Sequence, residues 1–205
     1  AFESSGKRFL YRNLQKYDVR VDRRRKNMPV RIVYAGLLGV AQNVLGIVEN
    51  IDFKVLGVEF HLYGGGNQAK EICSYIKDRD CNVFYHGYVE KERIGQELLN
   101  YDASLIPLTV RIRGAVPSKI FDIVPLGMPV LFCGGGEGAE IIKRYEIGLI
   151  SAPGDYETLK EIIAKLAEMP DSEYERLSGN CIETSRKYFD FEKQMIRCRS
   201  FVETV

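Results

Sequence analysis

Apolar and polar positions alternate between two periods along most of this chain. Short β-branched or aromatic runs stand at Ile32-Val33-Tyr34-Ala35, at 58–63, 82–85 and 103–108, at 129–133 and at Gly148-Leu149-Ile150, each bounded by turn residues and each of strand length. Between them, apolar residues recur three and four apart. This spacing predicts helices over 40–50, over 68–77 and over 90–101, the last with Ile94, Leu98 and Leu99 on one side. A further helix starts at Val116-Pro117-Ser118, carries Ile120, Phe121, Ile123 and Val124 as its stripe, and is stopped by Gly127 and Pro129. Another begins at about Gly138. Asp155 is placed to N-cap a helix striped by Leu159, Ile162, Ile163 and Leu166, and two more helices follow over 172–188 and 191–202. Six strands alternating with helices predict an α/β fold, a Rossmann-like parallel sheet of about six strands with helices on both faces. Ligands in such sheets bind at the carboxyl ends of the strands, where Gly36, Gly64-Gly65-Gly66, His86-Gly87 and Gly134-Gly135-Gly136 all fall.

Residues 1–29 lack this order. Nine Lys and Arg stand against Glu3, Asp18 and Asp22 in the first 26 positions, so the segment reads as a basic, solvated linker or appendage. The domain proper is expected over 30–170, with C-terminal helices over 171–205. The chain begins at Ala1 without Met and is expected to be a fragment of something longer.

A formal net charge of +1 gives no polyelectrolyte character and argues against a nucleic-acid partner. The five cysteines show no C-x-x-C spacing and read as reduced thiols of a cytoplasmic protein, neither a disulfide frame nor a zinc site. No run approaches the roughly 18–20 apolar residues that a membrane span needs, and no signal peptide is visible.

The chemistry concentrates between Gly114 and Glu140. Two helix N-termini lie close together there, and each offers free backbone N–H groups and a positive dipole end, a setting for a phosphate. A dinucleotide enzyme is one reading, because Gly64-Gly65-Gly66-Asn67-Gln68-Ala69 and Gly134-Gly135-Gly136-Glu137-Gly138-Ala139 both fit G-x-G-x-x-A. Neither follows the first strand of the domain, and no acidic residue ends a strand about twenty residues on, which argues against it. His86 closes a strand alone and reads as structural, and His61 as packed in mid-strand.

An ordered set of motifs carries a resemblance. It comprises residues 34–43 (YAGLLGVAQN), His86-Gly87-Tyr88-Val89, Val116-Pro117-Ser118-Lys119-Ile120-Phe121-Asp122 with Gly127-Met128-Pro129-Val130, then Gly138-Ala139-Glu140-Ile141-Ile142, Gly148-Leu149 and Pro153-Gly154-Asp155. The set resembles the C-terminal half of a family-4 glycosyltransferase of the GT-B fold, nearest to the branch that builds bacterial surface polysaccharides, and spans about 29–169. The resemblance implies a nucleotide-sugar donor bound by this half and a glycan or lipid-linked acceptor held by an N-terminal half. It implies transfer with retention, no cofactor or metal, and a cytoplasmic enzyme associating peripherally with the inner face of the plasma membrane.

Residue by residue, the resemblance sets Asp122 where the family has a Glu that accepts the ribose hydroxyls. It makes Lys119, with Pro117 and Ser118, the cation at the leaving diphosphate, and so the catalytic candidate. A carboxylate can take two vicinal O–H donors, although Asp is a methylene shorter than Glu. The bland alternatives are an Asp that complements the helix dipole and a solvated Lys. Gly114 stands where the family has a second Glu against the donor sugar. The basic residues usual after the first strand are replaced, leaving Gly36, Gly39 and Gln42 to approach the phosphates. Arg111 and Arg113 could restore the charge or lie on an exposed edge extension. Gly87, Tyr88 and Val89 fall where the base is read, and Gly136 and Glu137 where the donor sugar lies; Glu140 could only cap its helix. Two further readings of the same features are a sugar-nucleotide epimerase of the GT-B fold and a non-catalytic flavodoxin-like nucleotide-binding or interaction module.

Overall fold

The structure is a computed structural model and describes residues 9–14, 27–109 and 116–203. Its strands are β1 (Val30–Ala35), β2 (Val58–Tyr63), β3 (Val83–Tyr85), β4 (Ala103–Pro107), β5 (Val130–Cys133) and β6 (Gly148–Ser151). They form one parallel sheet in the order β3-β2-β1-β4-β5-β6. The order reverses between β1 and β4. In sheets of this kind ligands bind beyond the carboxyl ends of the strands at that point; here the loops after β1 and β4 are joined by the Thr109 N–H donating to the Ala41 carbonyl at 2.9 Å.

The helices are α1 (Val44–Asn50), α2 (Ala69–Ile76), α3 (Lys91–Glu97), α4 (Lys119–Ile123), α5 (Glu137–Tyr145), α6 (Tyr156–Glu168), α7 (Asp171–Tyr188) and α8 (Phe191–Glu203). Alternate strand residues face opposite layers, as the two-residue period of a strand requires. Ile32, Tyr34, Phe60, Leu62, Leu105 and Leu131 pack with Val44 and Ile47 of α1, Ile72 of α2 and Leu159 and Ile163 of α6. Val33, Ile106, Val130 and Phe132 pack with Leu98, Ile120, Ile123, Ile141 and Ile142 on the other face.

Local chemistry moves several element ends away from the sequence reading. Residues 40–43 form a turn, with Asn43 left-handed at φ 45°, and α1 starts only at Val44. The helix expected over 90–101 tightens into a 3₁₀ turn at Leu98–Asn100. Helix α4 has only five residues and passes into a 3₁₀ turn at Val124–Leu126, because Pro125 has no N–H to return to the preceding turn. Asp155 caps α6 as expected, accepting the Thr158 N–H at 3.0 Å.

Residues 9–14 lie within the expected solvated linker, yet they pack on the body. Leu14 is buried in the second core. The Arg12 N–H donates to Gln194 Oε1 at 2.9 Å, and Gln194 Nε2 donates back to the Arg12 carbonyl at 2.8 Å. Phe9 meets Phe201 with ring centroids 5.5 Å apart. Phe189 is buried edge-on to Phe121, whereas Met195 and Ile196 are exposed. Asp102 is fully buried at the start of β4, where its carboxylate accepts the backbone N–H groups of Asn27 and Arg31 at 2.9 and 2.7 Å, and the Tyr174 hydroxyl of α7 donates to its carbonyl at 2.8 Å.

Candidate functional site

The loops after β1, β2 and β3 are laced together at the crevice. The Gly36 N–H donates to the Tyr63 carbonyl at 2.9 Å, the Gly64 N–H to Gly87 at 2.7 Å, and the Leu38 N–H to Gly65 at 2.8 Å. A Cβ on Gly64, at φ 129°, would overlap the Gly36 carbonyl, so this packing requires glycine.

Lys119, the first residue of α4, reaches across to this lattice. Its ammonium occupies the space that a side chain on Gly36 would fill, and it lies 5.6 Å from the centroid of the Tyr34 ring. Burial lowers the Lys119 pKa from its ordinary value, opposed by the charge of Asp122. The two residues, one turn apart, therefore sense each other as the spacing predicted. Asp122 is half-buried. Burial also raises the pKa of the Tyr34 hydroxyl, which donates to the Leu37 carbonyl at 2.6 Å and so shapes the loop beside Lys119.

The second wall is the start of α5. Gly136 caps it at φ 69° and ψ −148°, a region essentially restricted to glycine. Gly138 packs against Phe132 and Pro117, with 3.4 Å between Pro117 Cδ and the place a Cβ would take. The starts of α4 and α5 are therefore neighbours in space, as the sequence suggested. Five-residue α4 is too short to supply much dipole, so the positive charge at this wall comes from the Lys119 side chain. α5 carries Glu137 and Glu140 in its own first turn. Glu140 makes no capping hydrogen bond and is exposed, while Glu137 pairs with Arg12 at 2.6 Å.

The structure brings Lys119 against Gly36 and sets Pro117 beside Gly138 at the start of α5, whereas Glu137 lines a cavity with Arg12, Tyr145, Phe189 and Gln194 to which no α4 residue contributes. Gly87 joins the loop lattice through its bond to Gly64. Tyr88 is exposed, and Val89 is partly packed on the second core. Gln42 lies in the turn before α1. Its N–H bonds the Gly39 carbonyl at 3.2 Å, and its side chain lines a separate cavity of about 240 Å³ with Thr109, Cys133, Asp155 and Tyr156, to which no α4 residue contributes. Gly39 closes the same turn, its carbonyl accepting the Asn43 N–H as well, at 3.0 Å. Arg111, Arg113 and Gly114 lie outside the described residues.

Two features escaped the sequence reading. Arg12 is one. The other is that His86 is not alone, since its Nε2 lies 2.9 Å from His61 Nδ1, and His61 Nε2 lies 3.2 Å from Glu59 Oε2. The signal was the strand register. His61 pairs with Phe84 across parallel strands, so the residue two further on, His86, shares its face.

A Rossmann-like layer with glycine loops at the carboxyl ends of six parallel strands matches the fold of one half of a GT-B glycosyltransferase. The family model for glycosyl transferases group 1 matches residues 18–187, and the chain belongs to that family. Solved structures share the fold at low identity. A mutant of S. aureus TarM in complex with Fondaparinux, alpha-GlcNAc-glycerol and UDP is 17% identical with a TM-score of 0.74, over 92% of this chain and 38% of its own. Anabaena HepE in complex with UDP is 16% identical with a TM-score of 0.73, over 87% and 50%. The lipopolysaccharide outer core galactosyltransferase WaaB, in its apo form, is 16% identical with a TM-score of 0.67, over 95% and 55%. The chain therefore spans between about two fifths and a little over half of these proteins. No curated protein sequence matches it significantly.

Proposed function

We propose that this chain is the donor-binding domain of a retaining, family-4 hexosyltransferase that moves a sugar from a nucleoside diphosphate to a glycan or lipid-linked acceptor in bacterial surface-polysaccharide synthesis. The observation that carries the reading is the Lys119 ammonium packed against Gly36 with Asp122 one turn on. An ammonium held in a partly desolvated crevice interacts strongly with charge developing on a departing diphosphate, and it needs little reorganisation as the bond breaks. Asp122 accepts the ribose hydroxyls, Tyr88 stacks on the base, and Gly136 and Glu137 face the sugar. In this reading Lys119 meets the leaving-group charge, so no resident metal or cofactor is required. Arg113 supplies further charge. The relatives bound to UDP support a uridine nucleotide as the first donor to test.

The acceptor belongs to a second domain, so this chain alone binds the donor and transfers nothing. We place the whole enzyme in the cytoplasm, peripherally at the inner membrane face; among the described residues no helix is long and apolar enough to cross a membrane. Calorimetric titration with UDP, GDP and ADP, on wild type and Asp122→Ala, tests the reading. One nucleotide should bind, and the variant should weaken it roughly tenfold, as loss of a charge-assisted hydrogen bond predicts. A folded wild type that binds none of the three overturns it in favour of an interaction module.

A further inference from the structure

A cavity of about 1080 Å³ lies among α5, the end of α7, α8 and segment 9–14, and neither Lys119, Asp122 nor Tyr88 lines it. Its walls are largely apolar. Tyr145 meets Tyr188 and Phe189 there with ring centroids 4.9 and 5.8 Å apart, and Phe9, Leu10 and Ile141 complete the lining. Leu10 and Tyr188 nonetheless leave 65% and 45% of their surface in water. Apolar groups exposed together on the walls of one cavity favour a ligand that covers them.

Cations converge on the same walls. Lys143 and Arg144 come from α5, Arg197 from α8 and Arg12 from segment 9–14. Arg12 is taken by Glu137 at 2.6 Å, whereas no carboxylate among the described residues pairs with Lys143, Arg144 or Arg197. Lys143 and Arg144 stand in the last turn of α5, where the dipole favours cations. Arg197 lies in the middle of α8, so no helix end accounts for it. The described lining holds four cations against Glu137 and Glu140, a net charge of +2.

Charge and lining together define the ligand. A small anion would meet the cations and leave the apolar walls wet, and a neutral hydrocarbon would do the reverse. An amphipathic phosphate does both, because its oxygens are strong acceptors for guanidinium and ammonium and its chain covers the rings. The volume is at the upper end of small-molecule sites, with room for a headgroup and several carbons of chain. We infer that this groove binds a lipid phosphate, with Arg197, Lys143 and Arg144 at the phosphate and Leu10, Tyr145 and Tyr188 along the chain. The same chemistry is offered by a soluble lipid phosphate and by an anionic phospholipid in a bilayer. The site is additional to the donor site and independent of the donor-binding reading.

The test takes the whole chain and titrates it with monomeric octyl and decyl phosphate, inorganic phosphate and uncharged decyl maltoside, and sediments it with phosphatidylcholine vesicles with and without phosphatidylglycerol. Wild type is compared with Arg197→Gln, Arg197→Lys, Lys143→Gln and Leu10→Asp, all at exposed positions. Decyl phosphate should bind about threefold to tenfold tighter than octyl phosphate, as two partly buried methylenes give, and far tighter than inorganic phosphate or decyl maltoside. Arg197→Gln and Lys143→Gln should each weaken it about fivefold, and Arg197→Lys should keep most of the affinity. Leu10→Asp should erase the dependence on chain length. UDP affinity should stay within about twofold of wild type throughout. Vesicle binding that needs phosphatidylglycerol and weakens in the same variants identifies the bilayer as the source; decyl phosphate binding without it identifies a soluble lipid phosphate. Inorganic phosphate or decyl maltoside bound as tightly as decyl phosphate overturns the inference, as do unchanged affinities in the variants or no binding of any probe. A wild type that binds decyl phosphate but no nucleotide overturns the donor reading and leaves this site standing.

Discussion

Lys119 shows how one side chain can be set against the stability of the fold that holds it. Burial lowers its pKa, so the folded chain holds an ammonium that is less favourable there than in water, and the nearby Asp122 repays only part of that cost. The folded state therefore gives up the Lys119 proton more readily than the unfolded chain does. Stability withheld at neutral pH returns as pH rises through the lowered pKa towards the ordinary lysine value. Lys119→Met keeps the aliphatic stem against Tyr34 and removes the charge. The variant should melt about 2–4 °C higher in calorimetry, as relief of roughly 1 kcal/mol gives in a chain of this size, and should lose at least about tenfold in nucleotide affinity. A variant that is both less stable and fully competent would remove Lys119 from the site. Cys133 at the end of β5 is different in kind. Burial pushes its thiol up to about 11, so it stays protonated and inert at neutral pH and packs as a small apolar group.

Elements were legible where local and long-range preferences agreed. The run over 58–63 became β2 with the same bounds, because buried Val58, Phe60 and Leu62 alternate with half-buried Glu59 and His61 at the two-residue period of a strand. The 117–126 helix was legible in its stripe but not in its length, since the apolar spacing survives Pro125 while the hydrogen-bond ladder does not. Contacts set by register were hidden, and the His61–His86 pair is one of them. Burial is the largest influence on both imidazoles and lowers both below 6.5, and for His61 the Glu59 hydrogen bond opposes it while the charges of His86 and Arg31 add to it. Tyr101 and Phe84 close over His61 with ring centroids 4.9 and 4.8 Å away, and the charge of Glu97 opposes the shift of His86. As pH falls below 6.5 the unfolded chain takes protons that the folded chain refuses. Stability is therefore complete above about pH 7 and declines through the acid range down to the lowered pKa values. His61, the better covered of the two, contributes a slope of up to about 1.4 kcal/mol per pH unit within that window. Urea midpoints measured from pH 8 to 5 should fall for wild type and fall less for a His61→Gln, His86→Gln double variant; equal slopes would show that the pair is not the titrating unit.

Across the whole molecule, the sheet and its two helix layers account for nearly all the apolar burial, and α8 stands apart from them. Among its described residues only Gln194 is buried, and Met195, Ile196 and Val202 are exposed. A 13-residue helix is marginal in water without a partner. Beside Phe191 on the second core and Lys193 donating to the Arg186 carbonyl at 2.9 Å, contacts that hold it come from the other end of the chain, from the reciprocal Arg12–Gln194 hydrogen bonds, Phe9 on Phe201, and the Tyr11 hydroxyl 3.9 Å from Met195 Sδ. This is also why the role of segment 9–14 was invisible in sequence, where a basic stretch without period reads as solvated. Removing residues 1–14 should leave the sheet cooperative, lowering its melting temperature by only a few degrees through the loss of Leu14 from the second core. α8 should then fray, so that hydrogen exchange of its amides rises towards unprotected rates while those of β1, β4 and β5 stay slow. Protection of α8 that persists in the truncated chain would mean that the helix docks on the body by itself, and that segment 9–14 is fastened to it without holding it.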